Sequence, residues 1–126
     1  MIENEIGTKI LDCCFKVHKE LGSGLFESVY ETVLMHELKK IGLKAQRQVS
    51  IPIIYNNIKF DEGFRADIIV ENKVILELKS IEKINPSHKK QVITYLKLSK
   101  LKLGYLLNFG EAYLKNGITR LINEKY

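Results

Sequence analysis

Two apolar segments close together in the chain restrict its fold more than any other feature. Residues 65–70 (RADIIV) and 74–80 (VILELKS) are rich in β-branched and aliphatic side chains, which predicts two short β-strands. Three charged side chains, Asp67, Glu77 and Lys79, nevertheless lie inside these segments. Because charged groups are costly to remove from water without partners, a fold that contains these strands must also provide partners or solvent for the three charges.

The length of the turn decides how these charges face one another. If Val70 pairs with Val74 across a loop of residues 71–73, Asp67 lies directly opposite Glu77. A two-residue loop would shift the register by one and place the two carboxylates on opposite faces of the hairpin. We predict the three-residue loop.

Two carboxylates placed opposite each other repel, so they require a positive partner. One solution is a hard divalent cation, because Mg²⁺ binds one or two carboxylates and keeps several waters. Lys79 points to the same face as Glu77 and could then orient a water or neutralise charge on a phosphate. The alternative is a salt-bridged cluster in which Lys79 or Arg65 neutralises Asp67 and Glu77. The residues alone leave both interpretations open.

The rest of the chain alternates between helical and strand periodicity. In chain order, the pattern predicts helices at residues 3–21 and about 25–41, a strand at 43–55, a turn at Asn56-Asn57 before IKF (58–60), the two hairpin strands, a helix within 85–98 and a strand at 102–110. A further short strand is expected near 118–122. The order α-α-β-β-β-α-β predicts one α/β domain, residues 1–126, built on a mixed sheet.

Glycine, proline and asparagine mark several boundaries of these elements. Gly22 suits the C-cap of the first helix, and Gly42 ends the second. Asn85 is a typical N-cap, with Pro86 at the first helical position. Pro52 indicates an edge strand or a bulge. The inner side of the second helix is expected to carry Phe26, Val29, Tyr30, Val33 and Leu34.

Composition excludes several classes of protein. No apolar run approaches the roughly 20 residues that span a bilayer, and the acidic, amphipathic N-terminus is not a signal peptide, so we expect a cytoplasmic protein with no membrane partner. The adjacent Cys13 and Cys14 are expected to be small core residues.

The net charge is +5. No acidic residue lies between Glu82 and Glu111, whereas six lysines do: Lys83, Lys89, Lys90, Lys97, Lys100 and Lys102. This stretch could bind a polyanion or form a solvated helix face.

Two motifs resemble those of a known family. Asp67, nine further residues and then Glu77-Leu78-Lys79 are similar to the D-x(n)-E-x-K signature of the PD-(D/E)XK nuclease superfamily. The segment GLFESVY (24–30) resembles the G-x-x-E-x-x-Y pattern of the GxxExxY proteins within that superfamily, and the likeness extends over roughly residues 5 to 122. Ala66 stands where the literal motif has proline, a position that the chemistry does not use.

The resemblance implies a restriction-endonuclease-like core, a mixed sheet flanked by helices. It also implies that Asp67, Glu77 and the Leu78 backbone carbonyl bind Mg²⁺ or Mn²⁺, that Lys79 is the catalytic lysine, and that Glu27 completes the metal shell and the catalytic set. From the residues alone, Glu27 is better explained as a first-turn charge favoured by the helix dipole, and only the neighbouring hairpin favours a place in the site.

The pentapeptide QVITY resembles a Q-x-x-x-Y element of exonuclease- and recombination-type branches of the superfamily. Gln91 and Tyr95 share one helix face, with His88 one turn earlier, and such a stripe could contact phosphate or a nucleotide end. Tyr95 could instead be an ordinary core aromatic. The predicted nucleic-acid contacts are Gln91, Tyr95, Tyr30, His88, Lys89 and Arg65.

Three functions therefore compete at this level. The first is a divalent-metal-dependent nuclease that hydrolyses phosphodiester bonds in DNA or RNA, in nucleic-acid processing or repair. The second is a non-catalytic nucleic-acid-binding module, and the third is a protein-interaction or dimerisation domain. A homodimer would fit the first and the third. The nuclease ranks first, on the carboxylate pair of the hairpin together with Lys79 and Glu27.

Overall fold

A computed structural model of the chain describes residues 1–125 and shows a five-stranded sheet between helices. The elements are α1 (Glu3–Leu21), α2 (Glu27–Lys40), β1 (Ala45–Tyr55), β2 (Ile58–Val70), β3 (Val74–Lys79), α3 (Pro86–Ser99), β4 (Leu103–Asn108), a short 3₁₀ helix (Leu114–Gly117) and β5 (Ile118–Ile122). The strand order is β1-β2-β3-β4-β5. β3 and β4 are parallel, whereas the other neighbours are antiparallel, so the sheet is mixed as predicted.

The helices cover both faces of the sheet. On one face α1 and α2 pack on the alternate side chains of β3 that begin with Val74 and end with Leu78. On the other face α3 packs through Val92, Tyr95 and Leu96 on a second cluster that includes Ile75. β3 is therefore buried along nearly its whole length, as expected for a strand covered by helices on both sides.

Most of the predicted boundaries are confirmed. Gly22 caps α1 with a φ of 72°, and Gly42 follows α2 with a φ of 85°. The Asn85 side chain accepts hydrogen bonds from the backbone of Ser87 and His88, and Pro86 begins α3. Cys13 and Cys14 are buried in the core on the α1 face, where burial raises the pKa of both thiols.

The separation of residues 58–60 from residues 65–70 was wrong, because β2 runs without interruption from Ile58 to Val70. Gly63 lies within this strand, at a close approach of two backbones. A Cβ atom on Gly63 would come within 1.9 Å of the Ile51 carbonyl oxygen. The β1–β2 register shifts between Ile51 and Ile53, so the bulge predicted at Pro52 is confirmed and the glycine accommodates it.

The expected inner side of α2 was correct in part. Tyr30 and Leu34 are fully buried and Val33 is half-buried, whereas Phe26 is 83% exposed and Val29 is 38% exposed. α2 begins only at Glu27, so Phe26 precedes the helix and does not follow its periodicity. Within residues 1–125, no helix is long and apolar enough to cross a membrane.

Candidate active site

The two hairpin carboxylates meet where β2 and β3 separate. Val70 pairs with Val74, which confirms the three-residue loop. The last residues paired through the backbone are Ile68 and Leu76. Beyond them, backbone N–H groups donate to the two carboxylates instead of to backbone carbonyls. The Asp67 backbone N–H donates to Glu77 Oε1 at 3.1 Å, and the Leu78 N–H donates to Asp67 Oδ2 at 2.8 Å. Each carboxylate is thereby oriented by the opposite strand, and the two lie next to each other as predicted.

This carboxylate pair, in which Glu77 is buried and Asp67 is half-buried, has no cationic partner among the described residues. Glu77 is 5% exposed. Its burial, and after that the charge of Asp67, raises the pKa of Glu77 to about 8. Burial also raises the pKa of Asp67. In the described part of the chain, ion pairs within 4.0 Å join Lys16 to Glu37, Arg47 to Glu31 and Lys59 to Asp61, and none reaches Asp67 or Glu77. The salt-bridged cluster considered from the sequence is therefore absent from residues 1–125.

Lys79 lies at the end of β3, two residues beyond Glu77. Its side chain is half-buried, and its charge opposes the effects of burial and of Asp67 on the pKa of Glu77. Its backbone carbonyl accepts a hydrogen bond from the Phe109 N–H at 2.8 Å, which holds the strand end beside β4. The ammonium thus acts electrostatically on Glu77 without forming an ion pair to it.

A cavity of about 260 Å³ opens on one side of Asp67. Its lining includes Glu27 and Glu31 from α2, together with Gln48 from β1 and Leu78 from β3. After burial, which is the main cause, the charges of Glu31 and Glu27 raise the pKa of Asp67, and Glu31 has the larger effect. The helix packing therefore directs two more carboxylates towards the hairpin pair.

Glu27 reaches this cavity at its exposed edge. It is the first residue of α2 and is exposed to solvent. Within residues 1–125, no group of three or more His, Cys, Asp and Glu side chains is close enough to hold a metal ion. The structure thus brings Glu27 near Asp67 without assembling a three-carboxylate site, and its place in a metal shell stays a prediction.

Sequence reasoning missed the network around Glu31. This residue is 6% exposed, and its Oε2 accepts from Arg47 Nε at 3.0 Å and from Arg47 Nη2 at 2.6 Å. Its Oε1 accepts from Gln48 Nε2 at 2.7 Å. Gln48 has a φ of 53°, an uncommon conformation for a residue in a strand. Only the charge of Glu31 on the helix face shared with Glu27 could have indicated this network in advance.

Asn108 is the second residue that sequence reasoning missed. It is fully buried at the end of β4, opposite Lys79. Its Oδ1 accepts from the backbone N–H groups of Ile81 at 3.1 Å and Gly110 at 3.0 Å, and its Nδ2 donates to the Ile81 carbonyl at 2.9 Å. Asn108 therefore fixes the chain that leaves β3 directly after the predicted catalytic lysine. A polar residue ending the apolar run GYLLN was the available signal.

The predicted nucleic-acid contacts lie in different environments. Arg65 and Lys89 are exposed, and Gln91 is half-buried on α3. His88 is half-buried, and its Nδ1 accepts from the Asn85 N–H at 3.1 Å, which completes a capping box for α3. His88 thus has a structural role in addition to the predicted contact.

The two predicted tyrosines are core residues. Tyr95 is 4% exposed and packs against Phe64 with ring centroids 4.8 Å apart. Burial, followed by the charges of Glu77 and Asp67, raises the pKa of Tyr95 to about 12, so its hydroxyl lies near the carboxylate pair. Tyr30 is fully buried and stacks on Phe109 at 4.6 Å. A direct nucleic-acid contact by Tyr30 does not fit this structure, because its ring has no exposed surface.

The donor set at the hairpin fits a hard divalent cation. Asp67, Glu77 and the Leu78 carbonyl offer oxygen atoms only, and Mg²⁺ commonly uses one or two carboxylates and keeps several waters. A bound cation would also offset the burial and the neighbouring negative charges that raise the pKa values of the two acids. The residues present therefore fit the metal that the fold implies.

Comparison with known proteins agrees with this geometry. A family model described as the PD-(D/E)XK nuclease superfamily matches residues 4–121. No curated protein and no solved structure matches the chain. Nucleases of this superfamily generally use divalent metal ions, and membership implies a nucleic-acid substrate. The match covers nearly the whole chain and includes the hairpin carboxylates, Lys79 and the helix that carries Glu27, so this chain belongs to the PD-(D/E)XK nuclease superfamily.

Proposed function

We propose that this protein is a divalent-metal-dependent nuclease that hydrolyses phosphodiester bonds, within the GxxExxY group of the superfamily. The observation that carries the proposal is the adjacent pair of buried Glu77 and half-buried Asp67, which has no cationic partner within 4.0 Å in residues 1–125. Two adjacent acids that are removed from water destabilise a folded protein, whereas a metal-dependent hydrolase requires such a pair to bind its metal.

The residues of the hairpin have distinct roles in this proposal. Asp67, Glu77 and the Leu78 carbonyl hold Mg²⁺ or Mn²⁺, and Glu27 acts from the edge of the cavity. The bound metal supplies Lewis-acid activation of the phosphate and of a water. Lys79 orients the attacking water and stabilises negative charge that develops on the phosphate oxygens. The backbone N–H groups of Asp67 and Leu78 hold the two carboxylates in place before substrate arrives.

Basic and polar side chains around the site would bind the nucleic-acid backbone. Arg65 and Lys89 are exposed, and Gln91 lies on the helix that carries Tyr95, whose hydroxyl lies near the carboxylate pair. Phosphate contacts of this kind lose affinity steeply with salt. We therefore assign these residues to substrate binding and Tyr95 to positioning of the site.

A non-catalytic binding module is less consistent with the buried acids. Negative charge at the centre of a phosphate-binding surface weakens binding unless a metal neutralises it. The exposed lysines alone would support binding, but they leave Asp67 and Glu77 without a role. The homodimer predicted from the sequence stays a prediction, which sedimentation velocity over a concentration series would test.

A cleavage assay tests the proposed function. Single- and double-stranded DNA and RNA are incubated with Mg²⁺, Mn²⁺ or EDTA and with the wild type, Glu77→Gln or Glu62→Gln. Glu62 is an exposed residue of β2 and serves as the matched control. We expect metal-dependent cleavage that Glu77→Gln abolishes and Glu62→Gln retains. Cleavage that persists in Glu77→Gln would contradict the assignment, and salt-sensitive binding without cleavage would favour the binding module.

A further inference from the structure

The loop before α2 is held rigidly against the active site. Gly22 and Gly24 have φ values of 72° and 99°, so the loop uses backbone conformations that favour glycine. The Tyr30 hydroxyl donates to the Gly22 carbonyl at 2.6 Å and accepts from the Leu25 N–H at 3.2 Å. The Ser80 hydroxyl donates to the Leu25 carbonyl at 2.5 Å. The loop is therefore fastened both to α2 and to the residue that follows Lys79.

This loop presents one phenylalanine to solvent. Phe26 is the N-cap residue of α2, makes no capping hydrogen bond through its side chain, and is 83% exposed. Helix N-caps are usually Ser, Thr, Asp or Asn, because their oxygens accept from the free N–H groups of the first turn. Phe26 thus contributes neither a cap nor core packing, and the fold alone gives no reason for an aromatic ring here.

The backbone of Phe26 lies next to the active site. The residue before it, Leu25, contacts Ser80 next to Lys79, and the residue after it, Glu27, lines the cavity beside Asp67. Leu25 and Val29, which precede and follow it in the chain, are each 38% exposed. An exposed aromatic ring is therefore held next to the active site on a loop that hydrogen bonds fix at both ends.

We propose that Phe26 stacks on an unpaired base of a single-stranded nucleic acid while the neighbouring phosphate lies at Asp67 and Glu77. This inference rests on the proposed nuclease function and names its substrate class. An aromatic ring can stack on any base whose face is free, and bases inside a duplex have both faces covered. The exposed ring beside the site thus favours single strands over duplexes.

The absence of tryptophan from the sequence allows a direct test. Phe26→Trp, in a Glu77→Gln background that prevents cleavage, places a single tryptophan at the stacking position. Tyr55→Trp in the same background is the matched control, because Tyr55 is 65% exposed and pairs with Ile58 at the far end of β2. Each protein is titrated with a single-stranded oligonucleotide, an abasic oligomer of equal length and the corresponding duplex.

In the Phe26→Trp protein, we expect the single strand to quench the tryptophan emission and the abasic oligomer and the duplex to leave it largely unchanged. The Tyr55→Trp control should respond to none of them. Phe26→Ala should weaken single-strand binding by about tenfold or more, as loss of one base–aromatic stack does. Phe26→Trp should retain binding.

Three outcomes would overturn the inference. Binding of single strands with neither quenching nor loss of affinity in Phe26→Ala would overturn it and leave the nuclease proposal intact. Failure of the wild type to bind or cleave any nucleic acid would overturn the nuclease proposal and this inference together. If the emission of Phe26→Trp changes with protein concentration in the absence of oligonucleotide, the ring contacts a second copy of the chain instead.

A serine variant separates function from folding. Phe26→Ser introduces a good N-cap for α2, so its melting temperature should rise above that of the wild type. Its single-strand affinity should nevertheless fall as in Phe26→Ala. A serine variant that binds as tightly as the wild type would show that the ring contributes nothing to binding, and would also overturn the inference.

Discussion

Replacing Glu77 by glutamine should make the metal-free protein more stable while it destroys the proposed activity. The introduced glutamine keeps an oxygen that can accept from the Asp67 N–H, as Glu77 Oε1 does at 3.1 Å. Its NH₂ group can donate to the Asp67 carboxylate in place of the repulsion between two acids. The substitution thus preserves shape and removes one buried charge.

The size of the effect follows from the pKa of Glu77. Burial and the charge of Asp67 raise this pKa from 4.5 to about 8 in the folded protein. Between these values the folded state binds more protons than the unfolded state, so the free energy of unfolding of the wild type falls as pH rises. Relative to Glu77→Gln, the wild type should lose less than about 1 kcal/mol at pH 5, about 2 kcal/mol at pH 6 and about 4 kcal/mol at pH 8.

Urea denaturation in EDTA across this pH range measures the difference directly, and Glu62→Gln at an exposed position serves as the control. Adding Mg²⁺ at pH 8 should restore much of the stability of the wild type and little of that of Glu77→Gln, because a ligand that binds only the folded state stabilises it. If wild type and Glu77→Gln show parallel pH dependence in EDTA, the reasoning from a buried, uncompensated carboxylate pair is refuted.

Further consequences of the geometry can be measured independently. Asn108→Ala removes three hydrogen bonds to Ile81 and Gly110 and should lower the free energy of unfolding by about 3 kcal/mol in urea titrations; a loss below about 1 kcal/mol would contradict its role. Gly63→Ala forces a Cβ atom against the Ile51 carbonyl and should cost about 3 kcal/mol, whereas unchanged stability would show that the bulge can relax. Tyr30→Phe should lower the free energy of unfolding by about 1–2 kcal/mol and slow single-turnover cleavage, although the ring contacts no substrate. Full activity of this variant would show that the loop does not support the active site. Mg²⁺ affinity measured by calorimetry should rise by up to about tenfold per pH unit between pH 6 and 8, because Glu77 must lose its proton to bind the metal, and a flat profile would argue against Glu77 as a ligand.

Local patterns in the sequence predicted most of the fold. The helical spacing of α1, the Asn85 cap and Pro86 of α3, and the Val70–Val74 register all depend on contacts between residues close in the chain. The order of elements and the mixed sheet followed from the same signals, together with the family resemblance. Prediction failed at β2, because residues 58–70 form one strand in which Gly63 allows two backbones to approach at a bulge.

The candidate site was predicted where its residues lie on one hairpin. Asp67 and Glu77 are brought together by a three-residue turn, so alternation along two strands was enough to pair them. Contacts with α2 and β4 could not be derived in the same way. Glu31 meets Arg47 and Gln48, and Asn108 meets Ile81, only because distant segments pack together.

By itself, the sequence determined the secondary-structure order, the hairpin register and the identity of the carboxylate pair, because each depends on periodicity or turn length within a short segment. Tertiary structure decided how strongly that pair is perturbed, since burial by α3 and the charges of α2 act through space. It also decided that Tyr30 is a buried anchor and that Phe26 is an exposed ring beside the site. These two residues are four apart in one motif, yet Tyr30 is packed by α2 against the sheet whereas Phe26 precedes the helix and faces solvent.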